Sequence, residues 1–295
     1  MKISLCPSFY CNFRCPWCYL SNEQLSSKRI INISELTNTI NYINLFETIT
    51  HIDIYGGEPT LLPVNWSIDL INLLRNITNA HLHVITNLSS SHHPLLFLSD
   101  TIGISYDFDI RQEWIKVREK IRVFPHKKHV VTLVNELHHI DDIDAYIEDL
   151  MRLNIDSWEL KPFSVSKFNS SFKEDFSKFE IFVKTVIDKA PPFEIINEIN
   201  MNNVSSSFSD DHIYIMPDSK MYVLDFDENF QEYFKNVSTI EDFYLWTKKE
   251  FDEYTNNKTC SNCTYLGNCL SEHLKVYNNT CNGFPDLIKW YHERN

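Results

Sequence analysis

The sequence predicts an α/β fold built on a parallel sheet, and three observations predict it. Apolar runs of strand length alternate with helical patterns over the first two thirds of the chain. The alternation repeats six times, as in consecutive βα units that place helices outside a parallel sheet. The chemically suggestive motifs of this region fall at or near predicted strand C-termini, where such folds bind ligands.

Residues 2–7 form the first predicted strand. Ser34 caps a helix that runs to about 48, with Leu36, Ile40 and Ile43 on one face. Strand 51–55 leads to a helix over 66–77, where Ile68, Ile71 and Leu74 recur at helical spacing. Strand 81–86 precedes a short helix at 94–98, strand 101–106 a helix at 111–124, strand 129–134 a helix at 141–153, and strand 157–163 a helix at 174–189. Pro191-Pro192 marks a boundary. Beyond it, 213–216 and 221–225 read as a β-hairpin turning at 217–220. A helix follows at about 240–254, then a cysteine-rich loop over 260–281 and a terminal helix near 286–293. The expected domains are 1–190 and 191–295.

With 295 residues, 43% of them hydrophobic, the chain has ample core. Its net charge of −13 argues against a nucleic-acid partner, which needs a Lys/Arg footprint. No apolar run approaches membrane-spanning length, and the N-terminus lacks a signal-peptide design. The eight cysteines fall into two groups, Cys6, Cys11, Cys15 and Cys18 near the start and Cys260, Cys263, Cys269 and Cys281 near the end. That polarisation predicts two metal centres in a reducing, cytoplasmic compartment.

Cys11, Cys15 and Cys18 stand in C-x3-C-x2-C spacing directly after the first strand. Three thiolates in a tight loop suit a [4Fe–4S] cluster and leave one iron open to a small molecule. Zinc would want a fourth ligand, and the next thiol is Cys260. Gly56-Gly57-Glu58-Pro59 follows the second strand, where two glycines let the backbone pass close to a bound group. Thr86-Asn87 ends the third strand, and Ser105 and Asp107 lie at the end of the fourth.

The cysteine loop followed by Tyr19, together with the Gly-Gly-Glu-Pro motif, resembles the signature of radical S-adenosylmethionine (SAM) enzymes. The resemblance implies a partial (β/α)6 radical SAM barrel, with SAM chelated to the open iron held by Cys11, Cys15 and Cys18. It implies cofactor contacts from Tyr19, Gly56, Gly57, Glu58, Pro59, Thr86, Asn87 and Ser105. Asn135 and Lys161 are further candidates to reach SAM or substrate. Asp107 either caps the next helix or takes a catalytic part.

The tail spacing Cys260-x2-Cys263-x5-Cys269-x11-Cys281 resembles a SPASM domain, the auxiliary-cluster module of many peptide-modifying radical SAM enzymes. Four thiols imply one auxiliary [4Fe–4S] cluster, although they would also make a structural zinc site. The second auxiliary cluster of a full SPASM domain has no ligand set here beyond His273, so the expectation is a reduced, single-cluster (twitch-like) domain of β-hairpin plus helix. Asp225, Asp227 and Glu228 end the hairpin, and Asp225 is the second catalytic candidate. Cys6 reads as a core thiol, and His92-His93 and His138-His139 as surface loop residues.

The resemblance thus implies an enzyme that makes a 5′-deoxyadenosyl radical to modify a ribosomal peptide by cross-linking, epimerisation or related C–H chemistry. A flavodoxin or ferredoxin would be the reductant. Since the sequence opens on a strand, the peptide is expected to be held by the barrel mouth, the tail or a separate recognition protein. The alternatives are a protein maturase of the sulfatase-activating type, a small-molecule radical SAM enzyme, and a non-catalytic iron–sulfur protein.

Overall fold

A computed structural model describes the chain except residues 163, 164, 170, 172–174, 204–207, 227–230, 271–275, 278, 279, 282 and 295, and the side chains of 276, 277, 280 and 281. Phe163, Asp227, Glu228 and His273 lie outside the described residues.

The expected βα units are present. Strands β1 (Lys2–Leu5), β2 (His51–Ile54), β3 (His81–Thr86), β4 (Thr101–Ser105), β5 (His129–Val134) and β6 (Ser157–Pro162) pair in parallel, in chain order. A two-residue β7 (Glu194–Ile195) adds a further parallel strand beside β6. The hairpin strands β8 (His212–Ile215) and β9 (Met221–Phe226) are joined by β10 (Glu232–Val237). The sheet order is β10-β9-β8-β1-β2-β3-β4-β5-β6-β7. β8 lies parallel to β1, with Lys2 opposite His212 and Leu5 opposite Ile215. The sheet is therefore continuous across the expected boundary at 190/191. Ile213, Tyr214 and Ile215 are all buried, as fits a strand placed between two neighbours.

Helices α1 (Asn22–Ser26), α2 (Ile33–Asn44), α3 (Val64–Ile77), α4 (Leu95–Leu98), α5 (Trp114–Val123), α6 (Ile143–Leu153) and α7 (Phe176–Asp188) follow the strands. Then come α8 (Ile196–Asn202), α9 (Ile240–Asn256) and α10 (Pro285–Arg294), with the small pair β11 (Val276–Tyr277) and β12 (Thr280–Cys281) before α10. Asn32, not Ser34, caps α2: its side chain accepts from the N–H groups of Ser34 and Glu35. In α3 the buried stripe is Ser67, Leu70, Ile71 and Leu74, so Ile68 is turned partly outward. Ile3, Leu5, Ile52, Ile54, Leu82, Val84, Ile102 and Ile104 are buried in one large core. Among the described residues no helix is long and apolar enough to cross a membrane.

Strand alternation turns the other set of side chains to the concave face. That face is polar. Ser4 meets His212 Nε2 at 2.8 Å, and the Thr101 hydroxyl lies 2.8 Å from both His81 Nε2 and His83 Nδ1. Burial lowers the His83 pKa to about 4. His93 and His138, expected on the surface, are buried, His138 against Phe108, Tyr146 and Phe182.

Glu250 of α9 is buried and fastens the segment before β8. Its carboxylate accepts from the Ser209 N–H and hydroxyl, each at 2.9 Å. Burial pushes its pKa from 4.5 up to about 7, against the two hydrogen bonds that lower it. A carboxyl whose folded pKa lies above its unfolded value holds its proton more tightly when folded. Its contribution is full below about 4.5 and is lost as pH rises through about 7. A Glu250→Gln variant is therefore expected to melt at or near the wild-type temperature at pH 5 and above it at pH 8. Each kcal/mol is worth roughly 2–4 °C, and thermal melts at the two pH values check it.

Candidate functional site

The site lies at the C-terminal ends of the parallel strands, on the loop that follows β1. Cys11, Cys15 and Cys18 sit there half-buried. The Cys11 N–H is bound by the Leu25 carbonyl of α1 at 3.0 Å, and Cys18 N–H by Cys15 C=O at 3.0 Å. Phe13 N–H points at Cys11 Sγ (3.4 Å), as does Asn87 Nδ2 from the end of β3 (3.7 Å). Arg14 donates to the Cys11 and Phe13 carbonyls, and its own N–H goes to Gln112 Oε1 at 3.0 Å. From the segment after β6, Ser166 Oγ reaches Tyr19 C=O and Asn169 Nδ2 reaches Trp17 C=O. Main chain and side chains from four other parts of the fold thus hold one loop.

Burial pushes the Cys11 and Cys15 thiols up to about 11 and raises Cys18 as well. Coordination must then supply the driving force for losing the protons, which a metal centre does. Among the described residues no three His, Cys, Asp or Glu side chains converge closely enough to hold a single metal ion. A zinc ion needs its donors about 2.0–2.3 Å from one point. Three thiols on one loop, with Phe13 N–H and Asn87 Nδ2 aimed at Cys11 Sγ, are the donor chemistry that a cubane with one open iron takes.

Gly56-Gly57-Glu58-Pro59 meets this loop directly. Gly57 N–H binds Ser8 C=O at 3.0 Å and Glu58 N–H binds Tyr10 C=O at 2.8 Å. A Cβ on Gly57 would stand 2.5 Å from the Phe9 carbonyl, and one on Gly56, at φ +121, would overlap Cys6 Sγ. The close approach that requires both glycines is to the cysteine loop itself. Glu58 is buried and its carboxylate is fully engaged. Oε1 accepts from Thr60 N–H (2.9 Å), Thr60 Oγ1 (2.5 Å) and Thr86 Oγ1 (2.6 Å), and Oε2 from Asn87 N–H (2.6 Å). It ties the end of β2 to the end of β3. Pro59 opens the short turn that follows and is buried. Ser105 stands half-buried at the end of β4.

Several expected site residues are placed elsewhere. Asn135 spends its amide on its own turn, with Nδ2 on Leu133 C=O and Oδ1 on Leu137 N–H. Lys161 lies on the same strand face as Glu159, 3.8 Å from it; burial raises the pKa of Asp53, and Lys161 opposes part of that rise. Asp107 caps no helix. It is fully buried, held by Arg111 and by Leu133 N–H, so it is an anchor rather than a free acid. Asp225 falls on the same side of β9 as Met221 and Val223, paired with Lys235 at 3.3 Å, whereas Tyr222, Leu224 and Phe226 face the mouth. The alternation of β9 thus turns Asp225 away from the site.

Tyr19 packs edge-on against Phe234, ring centroids 6.1 Å apart, and its hydroxyl is buried. With Phe9, Met216, Tyr222 and Leu224 it lines a cavity of about 650 Å³ that shares no residue with Thr86, Asn87 or Ser105. Cys6 is fully buried and free, its pKa raised by burial. In the tail, Cys260 and Cys269 are buried and Cys263 is half-buried; Cys263 N–H binds Cys260 C=O at 2.9 Å. Gly267, at φ +79, makes the turn between Cys263 and Cys269. Cys281 lies in β12, and its side chain is outside the described residues. Arg111 and Gln112, which no motif marks, are the residues that sequence reasoning missed.

No family model matches the sequence, and no curated protein matches it. Solved structures do. SuiB of Streptococcus suis bound to S-adenosylmethionine matches at 14% identity and TM-score 0.66, over 91% of this chain and 71% of that one. SuiB bound to its precursor peptide SuiA matches at 15% and 0.55, over 75% of this chain and 58% of that one. Native anSMEcpe with bound AdoMet and Cp18Cys peptide matches at 15% and 0.69, over 99% of this chain and 96% of that one. The fold is the radical SAM partial barrel. The three thiols of this chain stand at the mouth of that barrel.

Gly57→Ala is expected to destabilise the chain by about 3 kcal/mol, the upper end for overpacking, because the obstruction is backbone. Chemical denaturation checks it, and a Leu61→Ala control away from the contact leaves the Gly57 effect distinct.

Proposed function

We propose that this chain is a radical SAM enzyme that modifies a peptide. One observation carries the reading: three thiols at the strand C-termini, interlocked through Gly57 and Glu58 with the end of β2, on a radical SAM barrel. SuiB and anSMEcpe, whose barrels it resembles, are each seen with a peptide.

Cys11, Cys15 and Cys18 would hold a [4Fe–4S] cluster with SAM on its open iron. When bound, that pair supplies one-electron cleavage of SAM and a 5′-deoxyadenosyl radical able to take a hydrogen atom from carbon. The chain's own part is placement. Asn87 directs an amide N–H at Cys11 Sγ, which favours the thiolate. Glu58 fixes Thr86 and Asn87, and with them the floor on which SAM would rest. Ser105 completes the polar strand ends. Ser166 and Asn169 draw the segment after β6 over Trp17 and Tyr19, which shields the loop from water. In the proposed tail domain, 191–295, Cys260, Cys263, Cys269 and Cys281 would hold one auxiliary [4Fe–4S] cluster that passes an electron. A flavodoxin or ferredoxin would feed the system, in the cytoplasm.

Anaerobic reconstitution followed by SAM cleavage tests the reading. The wild type is expected to release 5′-deoxyadenosine and Cys15→Ala to fall to background; equal release from both overturns it. Iron content near roughly eight per chain is expected for two cubanes. About four irons with bound zinc would overturn the auxiliary cluster.

A further inference from the structure

Asn87 follows β3 directly and is 6% exposed. A primary amide offers two N–H donors and one carbonyl oxygen. The fold takes all of them. Nδ2 gives one proton to Cys11 Sγ at 3.7 Å and the other to Asn12 Oδ1 at 3.4 Å. Oδ1 accepts from the Ser89 N–H at 2.9 Å and lies against the Ser89 hydroxyl as well. That hydroxyl is also 2.8 Å from Asn12 Oδ1, so its one proton serves either oxygen. An N–H on Oδ1 and an acceptor on Nδ2 leave the amide one orientation, with nitrogen toward the thiol. The main-chain N–H of Asn87 is spent on Glu58 Oε2. The turn that aims the amide is strained. Leu88 takes φ +59, which a non-glycine residue keeps only where its surroundings impose it. Here they do: the Leu88 side chain is fully buried, Lys120 of α5 holds Ser89 C=O at 2.5 Å, and Ser90 N–H is tied to Thr60 Oγ1 at 3.1 Å.

We propose that the Asn87 amide is committed to the cluster ligand and not to SAM: its N–H···S bond to Cys11 raises the reduction potential of the cluster, and Ser89 and Asn12 are the positioning residues that aim it. The assignment rests on the cluster reading above, and it departs from the sequence expectation that Asn87 contacts SAM. Reduction adds one electron to the cluster and removes nothing from the chain; the external donor supplies it. The added negative charge is shared by the sulfurs, and a hydrogen bond to a sulfur favours the form that carries more of it. Among the described residues two donors meet Cys11 Sγ, the main-chain N–H of Phe13 and the side chain of Asn87. Asn87 is the one that a substitution removes.

The test is an EPR-monitored redox titration of the reconstituted full chain without SAM, with SAM binding measured beside it. The N-terminal cluster is recognised as the signal that changes when SAM is added. Asn87→Ala keeps the main-chain bond to Glu58 and loses the donor to sulfur. Its midpoint should move negative while its affinity for SAM stays at the wild-type value. Ser89→Ala should move the midpoint the same way by less, and Ser89→Thr, which keeps a hydroxyl, should stay at the wild-type midpoint. An unmoved midpoint in Asn87→Ala at equal iron content overturns the assignment. So does an affinity for SAM about tenfold weaker in that variant, the worth of one hydrogen bond, which would give the amide to SAM. Where Asn87→Ala takes up no N-terminal cluster, the Ser89 variants decide, and a midpoint unmoved in Ser89→Ala overturns the assignment. A wild type that takes up no N-terminal cluster overturns the cluster reading itself, and this assignment with it.

Discussion

The structure depends on one backbone-to-backbone contact, that of Gly56-Gly57 with residues 8–10. Two parallel strands end side by side, and the loops leaving them would diverge if either glycine carried a Cβ. Without side chains there, Gly57 and Glu58 continue the pairing of β1 and β2 beyond the sheet through Ser8 and Tyr10. The loop that carries Cys11, Cys15 and Cys18 therefore leaves the sheet in a fixed direction. A three-thiol centre needs this, because its ligands come from one short segment that cannot order itself.

The rest of the mouth builds on that junction. Glu58 gathers the ends of β2 and β3 around one buried carboxylate. Such a carboxylate is tolerable only when its lone pairs are filled, and four donors fill them here. Asp107 and Arg111 do the same for the ends of β4 and β5, with charge balanced inside the pair. The antiparallel β8–β9–β10 extension brings Phe234 against Tyr19, so the far edge of the sheet also borders the cysteine loop.

Much of this was legible in the sequence because it is local. The βα alternation, the cysteine spacing and the glycine pair at a strand end are all short-range patterns, and each fell where the strand ends are. What escaped was set by three-dimensional neighbours. Nothing in the sequence says that β8 pairs with β1, 210 residues apart at Lys2 and His212. The face that Asp225 occupies follows from the register of β9, which depends on that pairing. The motif marks Glu58, but only the fold shows that its donors come from Thr60, Thr86 and Asn87. Arg111 had no motif at all; only the fold buries it against Asp107, which Leu133 N–H of β5 also holds. His138 looked like a loop residue and is one, but the loop packs into an aromatic core.

The central claim is that the loop after β1 holds a cluster with one iron free of protein ligands. Mössbauer spectroscopy of the chain reconstituted with ⁵⁷Fe, recorded with and without SAM, tests it most directly. The account predicts that one iron of the N-terminal cubane is distinct and that its isomer shift rises when SAM is added, while the others stay put. Spectra indifferent to SAM, with all irons alike, would contradict it.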